Sequence, residues 1–377
     1  MHQINSIDCI VVGGGLLGML SARELTLAGQ RVALLEQGRT GRESSWAGGG
    51  ILSPLYPWRY DPAVTQLASW SQQHYPDLAD DLIAEGCLDP ELTVSGMMIL
   101  DMDEEATASD WATRYQKTLH ITDAVERGQL APEFDWQHIP QQSSLWFPEV
   151  AQIRNPRLAQ SLRESLDRKH VKILEHARVD GLVIKNQQIQ GVKGDFGELT
   201  APKVLIAGGA WSQQFLPQGS YQMLVQPVKG QMVLFKAEPD VVKHIYLYKD
   251  RYVIPRRDGH VLMGSTLEDA GFDKTTTDEA NKELVHLARQ MVPGLEDYPV
   301  VKHWAGLRPG SPDGIPYITE HPEYKGLYFN AGHYRNGVVL GYASARLLAD
   351  IMLERSPIVD PLPYGLSEAP LQNIDFV

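Results

Sequence analysis

The sequence predicts a two-domain α/β fold in which a strand–helix–strand half with a parallel sheet is interleaved with an antiparallel-sheet half. Three observations carry this. The chain has 377 residues, more than one hydrophobic core of ~100–200 residues usually serves. A glycine-rich turn near the N-terminus lies between two apolar, strand-like runs. Two long inner segments carry short alternating or continuous apolar runs bounded by turn residues, the pattern of antiparallel strands.

Composition narrows the function classes. Apolar residues at 43% and charged residues at 21% belong to an ordinary globular chain that buries sizeable cores. A formal net charge of −13 opposes binding to nucleic acid or anionic lipid, which requires clustered Lys and Arg. The two cysteines, Cys9 and Cys87, have no CxxC spacing, so neither a disulfide framework nor a metal site is expected. The N-terminus has no secretory pattern, and no apolar run reaches the ~18–20 residues of a membrane span. A soluble, cytoplasmic protein is expected.

The first element, Cys9 to Val12, is a strand entering "GGGLLGMLSARELTLAG", with Gly13, Gly15 and Gly18 in GxGxxG spacing. Gly13 permits the tight turn, Gly15 lets the backbone approach a pyrophosphate, and Gly18 allows the helix to pack on the strand. A second strand, "RVALLEQG", ends at Glu36, about 20 residues further on, where a carboxylate grips a ribose 2′-hydroxyl and repels a 2′-phosphate. A Rossmann-like dinucleotide site follows from the complete unit.

Next comes "ESSWAGGGILSPLYPW", starting at Glu43; three consecutive glycines beside a nucleotide site point to something flat that must approach the main chain. Tyr56 and Trp58, just beyond, either shape a pocket mouth or pack between domains. Helices are read from Asp61 to Leu82 and in "NPRLAQSLRESLDRK", the second starting in cap-then-proline order at Asn155 and Pro156. The segments "LTVSGMMILD", "QMVLFKAE", "RYVIPRRDG" and "HVLMGST" read as strands. Near the end, a strand from Leu327 to Asn330 leads through a glycine-containing loop, Ala331 to Gly337, into a helix with Asn336 as its N-cap. The positive end of that helix suits a flavin that gains negative charge on reduction, a device a nicotinamide does not need.

Taken in order, "VVGGGLLG", "ESSWAGGGIL", "NPRLAQSL", "VLIAGGAWS", "RYVIPRRDG", "GLRPGSPDGIPYI" and "AGHYRNGVVLG" resemble the FAD-dependent D-amino-acid oxidase family over nearly the whole chain. Within it they are most similar to the glycine oxidases associated with thiamine biosynthesis. The resemblance implies FAD, its diphosphate over Gly15, Leu16 and Leu17, its ribose at Glu36 and Gln37, and Ser44 and Ser45 on the diphosphate or ribitol. It implies Gly49, Gly50 and Ile51 along the ring, the main chain of Val179 at adenine, Gly208 beneath the nucleotide, and a loop of His333, Tyr334, Arg335, Asn336, Gly337 and Val338 around the oxygen-bearing edge of the flavin.

For catalysis the resemblance implies Arg308 as a clamp on the substrate carboxylate, Tyr252 as a further donor to it, and Arg335 near the amine. A planar guanidinium fork suits a carboxylate independently of any family. The implied reaction is oxidative deamination of glycine, sarcosine or small D-amino acids by hydride transfer to flavin N5, giving an oxo acid, ammonia and hydrogen peroxide. The alternative is a dehydrogenase that passes electrons to a quinone or other carrier. Motif positions place the FAD-binding domain at 1–85, 150–215 and 306–377, and the substrate domain at 86–149 and 216–305. Relatives of this kind also lead us to expect a homo-oligomer.

Overall fold

A computed structural model describes residues 6–100, 104–138 and 143–368. The extreme N-terminus used in the secretory reading, Asp101 of the "LTVSGMMILD" strand, and the last residues of the 306–377 segment lie outside the described residues.

Cys9–Val12 is the inner strand that organises the first half. Its alternate side chains face two cores: Cys9 and Val11 pack toward the helices Leu16–Leu27 and Gly337–Met352, while Ile10 and Val12 pack toward the three-stranded sheet Val179–Lys185, Gln188–Gly194 and Gly197–Thr200. A strand buried on both faces reads as an unbroken apolar run, which explains "CIVV". The six-stranded sheet runs Tyr317–Glu320, Leu327–Ala331, Lys203–Ile206, Cys9–Val12, Val32–Leu35, Lys172–Leu174, all parallel except the first. Three neighbouring strands therefore end side by side, so the turns that follow Val12, Ile206 and Ala331 converge at the carboxyl edge, where such sheets bind ligands.

The second half is an eight-stranded sheet in the order Val300–Gly310, Gln226–Lys236, His260–Gly264, Arg251–Pro255, Ile245–Tyr248, Met97–Ile99, Ser144–Phe147, His120–Thr122. Only the pairing of Ile245–Tyr248 with Met97–Ile99 is parallel. Its pleat divides the two faces: Val253 joins the core under the helix Asp278–Met291, whereas Tyr252 and Ile254 face the first half. The mixed α/β class and the antiparallel character of the second sheet agree with the sequence reading.

Two helix starts differ from expectation. Arg154, not Asn155, holds the N-cap position of Asn155–Arg168, and the Asn155 amide makes no capping bond. That amide is buried under the glycine loop instead: a Cβ on Gly48 would lie 2.8 Å from its Nδ2, and one on Gly50 2.6 Å from its Oδ1. Asn336 does hold the N-cap position of Gly337–Met352, but its side chain caps nothing. Its φ of −106° and ψ of 10° lie away from the extended geometry that turns a capping side chain back onto the first amides. Asp61, by contrast, caps Pro62–Ala84 by accepting from Ala63 N at 2.8 Å.

Candidate active site

A long cavity runs between the two halves from Glu36 to Arg308. At its first end, Gly13 has φ +110°, and a Cβ there would meet Ala207 O at 2.4 Å, so only glycine allows adjacent strand ends this close. Gly18 stands outside the cavity; a Cβ on it would lie 1.9 Å from Gly13 O, so it serves helix–strand packing. The Glu36 carboxylate accepts from Gly14 N and Gly38 N, both at 2.8 Å, which fixes its position on the cavity wall. Ser45 Oγ accepts from Leu16 N at 2.8 Å and thereby ties the glycine turn to the next loop.

Leu16, Leu17, Gln37, Ser44, Gly49, Gly50, Ile51, Val179 and Gly208 all reach the cavity. So do His333, Tyr334, Arg335, Gly337 and Val338, while Asn336 does not. Ser53 and Leu55 line it too, whereas Trp58 stacks on Phe147 with ring centroids 6.3 Å apart and Arg59 lies over Tyr56, so these aromatics serve packing between segments.

The walls fit a dinucleotide carrying a flat ring. The helices Leu16–Leu27 and Gly337–Met352 both point their N-termini at the cavity, and neither has an acidic residue in its first turn to compete for the positive end. Gly209, with φ +57°, would direct a Cβ into open space. These residues would hold FAD by backbone contact along its length.

The far wall is built from three strands of the antiparallel sheet. Arg308 Nη1 donates to Lys229 O and Thr266 O, each at 3.3 Å, and Nη2 donates to Ser265 Oγ. Every one of these acceptors is neutral, and among the described residues no carboxylate pairs with Arg308. The guanidinium lies flat over Gly230, where a Cβ would sit 2.3 Å from both Nη atoms. Burial pushes its pKa below the usual guanidinium value; Tyr252 offsets this and Arg335 adds to it. Tyr252 lines the same wall, its ring beside Gly49. Burial likewise raises the Tyr334 pKa, against the pull of Arg335 and Arg308.

His333 is buried, and burial holds it neutral with a pKa of about 3. Its Nε2 lies 2.9 Å from Ser344 Oγ, and that hydroxyl donates to Leu340 O at 2.8 Å. The serine hydrogen is thus committed, so His333 carries its proton on Nε2. Gly230, Met232 and Ser265 line the site although no local motif marked them; their roles depend on which strands become neighbours.

A parallel sheet with a glycine-walled groove at its switch point, facing an antiparallel sheet that presents a fixed cation, defines a two-domain dinucleotide-dependent oxidoreductase. A model of the family "FAD dependent oxidoreductase" matches residues 8–351, and the chain belongs to that family. It is 50% identical to a glycine oxidase of Pseudomonas aeruginosa over 94% of this chain and 97% of the relative. It is 47% identical to a glycine oxidase of Pseudomonas putida over 96% and 98%. The crystal structure of a glycine oxidase from Geobacillus kaustophilus superposes with a TM-score of 0.89 at 27% identity, covering 96% of this chain and 99% of that one. The chain is an FAD-dependent enzyme.

Proposed function

We propose that this enzyme oxidatively deaminates glycine and similarly small amino acids, with oxygen as the electron acceptor. The balanced reaction converts glycine, oxygen and water to glyoxylate, ammonia and hydrogen peroxide. One observation carries the reading: a half-buried guanidinium at the cavity wall, held by neutral acceptors and lacking a carboxylate among the described residues. A charge partly withdrawn from water without a counter-ion is costly, and a carboxylate ligand offsets that cost. Names of relatives at about half identity support the same substrate class.

Bound FAD supplies a two-electron oxidant that oxygen regenerates. The chain's own residues do the rest. Arg308 holds the carboxylate by paired hydrogen bonds, and Tyr252, on the strand Arg251–Pro255 of the same sheet, adds a donor. Leu307 and Pro309, both buried, keep water from weakening that ion pair. Arg335 lies on the opposite loop and faces the amine end. Catalysis is then mostly positioning, and no side chain need remove the Cα proton separately. His333, neutral and committed to Ser344, takes no part as a base. Two free buried cysteines support a reducing, cytoplasmic setting.

The test is an anaerobic mixture of the yellow protein with glycine, sarcosine, D-alanine and D-proline in turn. The expected result is bleaching by glycine, and release of peroxide once air is admitted. Absorbance unchanged by all four would overturn the proposal, and bleaching without peroxide would move it to a dehydrogenase.

A further inference from the structure

Arg256 follows directly on the strand Arg251–Pro255 that carries Tyr252, and it is 8% exposed. It does not line the cavity. Its Nη2 donates to Gly49 O at 2.6 Å, and its Nη1 donates to Gln152 Oε1 at 2.5 Å and to Ile153 O at 3.3 Å. Among the described residues no carboxylate bonds to it; the nearby acids Glu91 and Asp258 are taken by Arg154. A buried guanidinium spent on neutral carbonyls is an expensive way to join strands.

What those carbonyls flank explains its use. Gly49 and Gly50 line the cavity beside the Tyr252 ring. Gly50 has φ +79°, and its would-be Cβ lies 2.0 Å from Ile153 O, the second carbonyl Arg256 reaches. A backbone bond from Ile153 N to Gly50 O at 2.8 Å completes the clasp. On the cavity side, a Cβ on Gly49 would lie 2.7 Å from Ile254 Cδ1 and 3.2 Å from the Tyr252 ring. One strand therefore touches the glycine loop from the front through Tyr252 and Ile254, and grips it from behind through Arg256.

We propose that Arg256 is a positioning residue that locks the Gly48–Ile51 loop to the Tyr252 strand and so sets both the tightness of FAD binding and the environment of the ring. It remains a cation at neutral pH, since burial, with Arg154 adding to it, pulls its pKa only to about 10. Lysine would keep the charge but could not span both carbonyls, because its ammonium is a single point and not a fork.

The experiment compares wild-type holoenzyme with Arg256→Lys and Arg256→Met, reading the FAD dissociation constant by flavin fluorescence, the visible flavin band and the melting temperature. The expected result is FAD binding at least tenfold weaker in both variants, with a shifted flavin band. Unchanged FAD affinity and an unchanged band, with only a lower melting temperature, would make Arg256 a structural tie and overturn the proposal. Should neither variant fold, Gln152→Leu frees one arm of Arg256 while leaving the bond to Gly49 available, and two- to fivefold weaker FAD binding is expected. An unaltered FAD constant in that variant likewise counts against it. The readout does not involve the substrate, so glycine failing as a substrate leaves this test intact.

Discussion

The cofactor groove and the substrate wall are built by different means. The groove is mostly backbone: glycine turns at the ends of neighbouring parallel strands, two helix N-termini and one carboxylate held by amides. The wall is mostly side chain: Arg308 from Val300–Gly310 lies over Gly230 of Gln226–Lys236 and bonds to Ser265 just beyond His260–Gly264. The groove is set by short stretches of sequence, the wall by strand register across the sheet. Damage to the groove should therefore cost the cofactor, and damage to the wall should cost the substrate.

The sharpest break in that comparison is Arg308→Ala. Losing one partner of a buried, hydrogen-bonded charge pair costs about 2–5 kcal/mol, so kcat/KM for glycine should fall between roughly thirtyfold and several thousandfold in steady-state assays, with FAD content unchanged. On the other side stands Gly50→Ala, where a left-handed φ and a Cβ 2.0 Å from Ile153 O combine strain with overlap. About 3 kcal/mol of stability should be lost, and the protein should purify with little flavin, seen in its absorbance ratio and melting curve.

Smaller effects sharpen the contrast within the wall. Tyr252→Phe removes one donor to a charged ligand, about 1.5–3 kcal/mol, and should raise KM for glycine by roughly ten- to a hundredfold. Gly230→Ala should displace the guanidinium by pressing a methyl into it, costing about 1.4 kcal/mol or tenfold in KM while FAD binding holds. A single figure outside these ranges matters less than the pattern; weak FAD binding in either variant would erase the division of labour.

A further effect, on neither groove nor wall, is in stability against pH. His333 titrates near 3 when folded and near 6.5 when unfolded, so the unfolded chain binds the extra proton between those values. Its contribution is complete above pH 6.5 and is lost as pH falls toward 3, at up to about 1.4 kcal/mol per pH unit. Melting curves from pH 7 to 4 should fall less steeply in His333→Asn than in wild type.

The same division decides what was legible in the sequence. Gly13, Gly15, Gly18 and Glu36 could be read because turn, helix start and carboxylate lie within one βαβ unit whose spacing is fixed by its own geometry. Arg308 could be singled out by its setting and its resemblance, but the acceptors that hold it could not. Ser265 and Gly230 reach it only after three strands have paired, and single-sequence periodicity carries no register between distant strands. Asn336 holds the N-cap position read for it but its side chain makes no capping bond, and Asn155 lies one residue past the N-cap, for a related reason. A side-chain cap depends on backbone position and angles set by tertiary packing, which leave the Asn155 amide under the glycine loop and the Asn336 side chain off the first amides. Nothing local marks Arg256, because its two backbone carbonyl partners come from segments about a hundred and two hundred positions away.

The most direct test of the central claim, that Arg308 binds a carboxylate beside the flavin, is a spectral titration with glycolate, which keeps the carboxylate and replaces the amine with a hydroxyl. In wild-type holoenzyme the flavin band should shift and saturate. In Arg308→Ala, carrying its full complement of FAD, the band should not saturate over a hundredfold higher range. Equal saturation in both proteins would contradict the account.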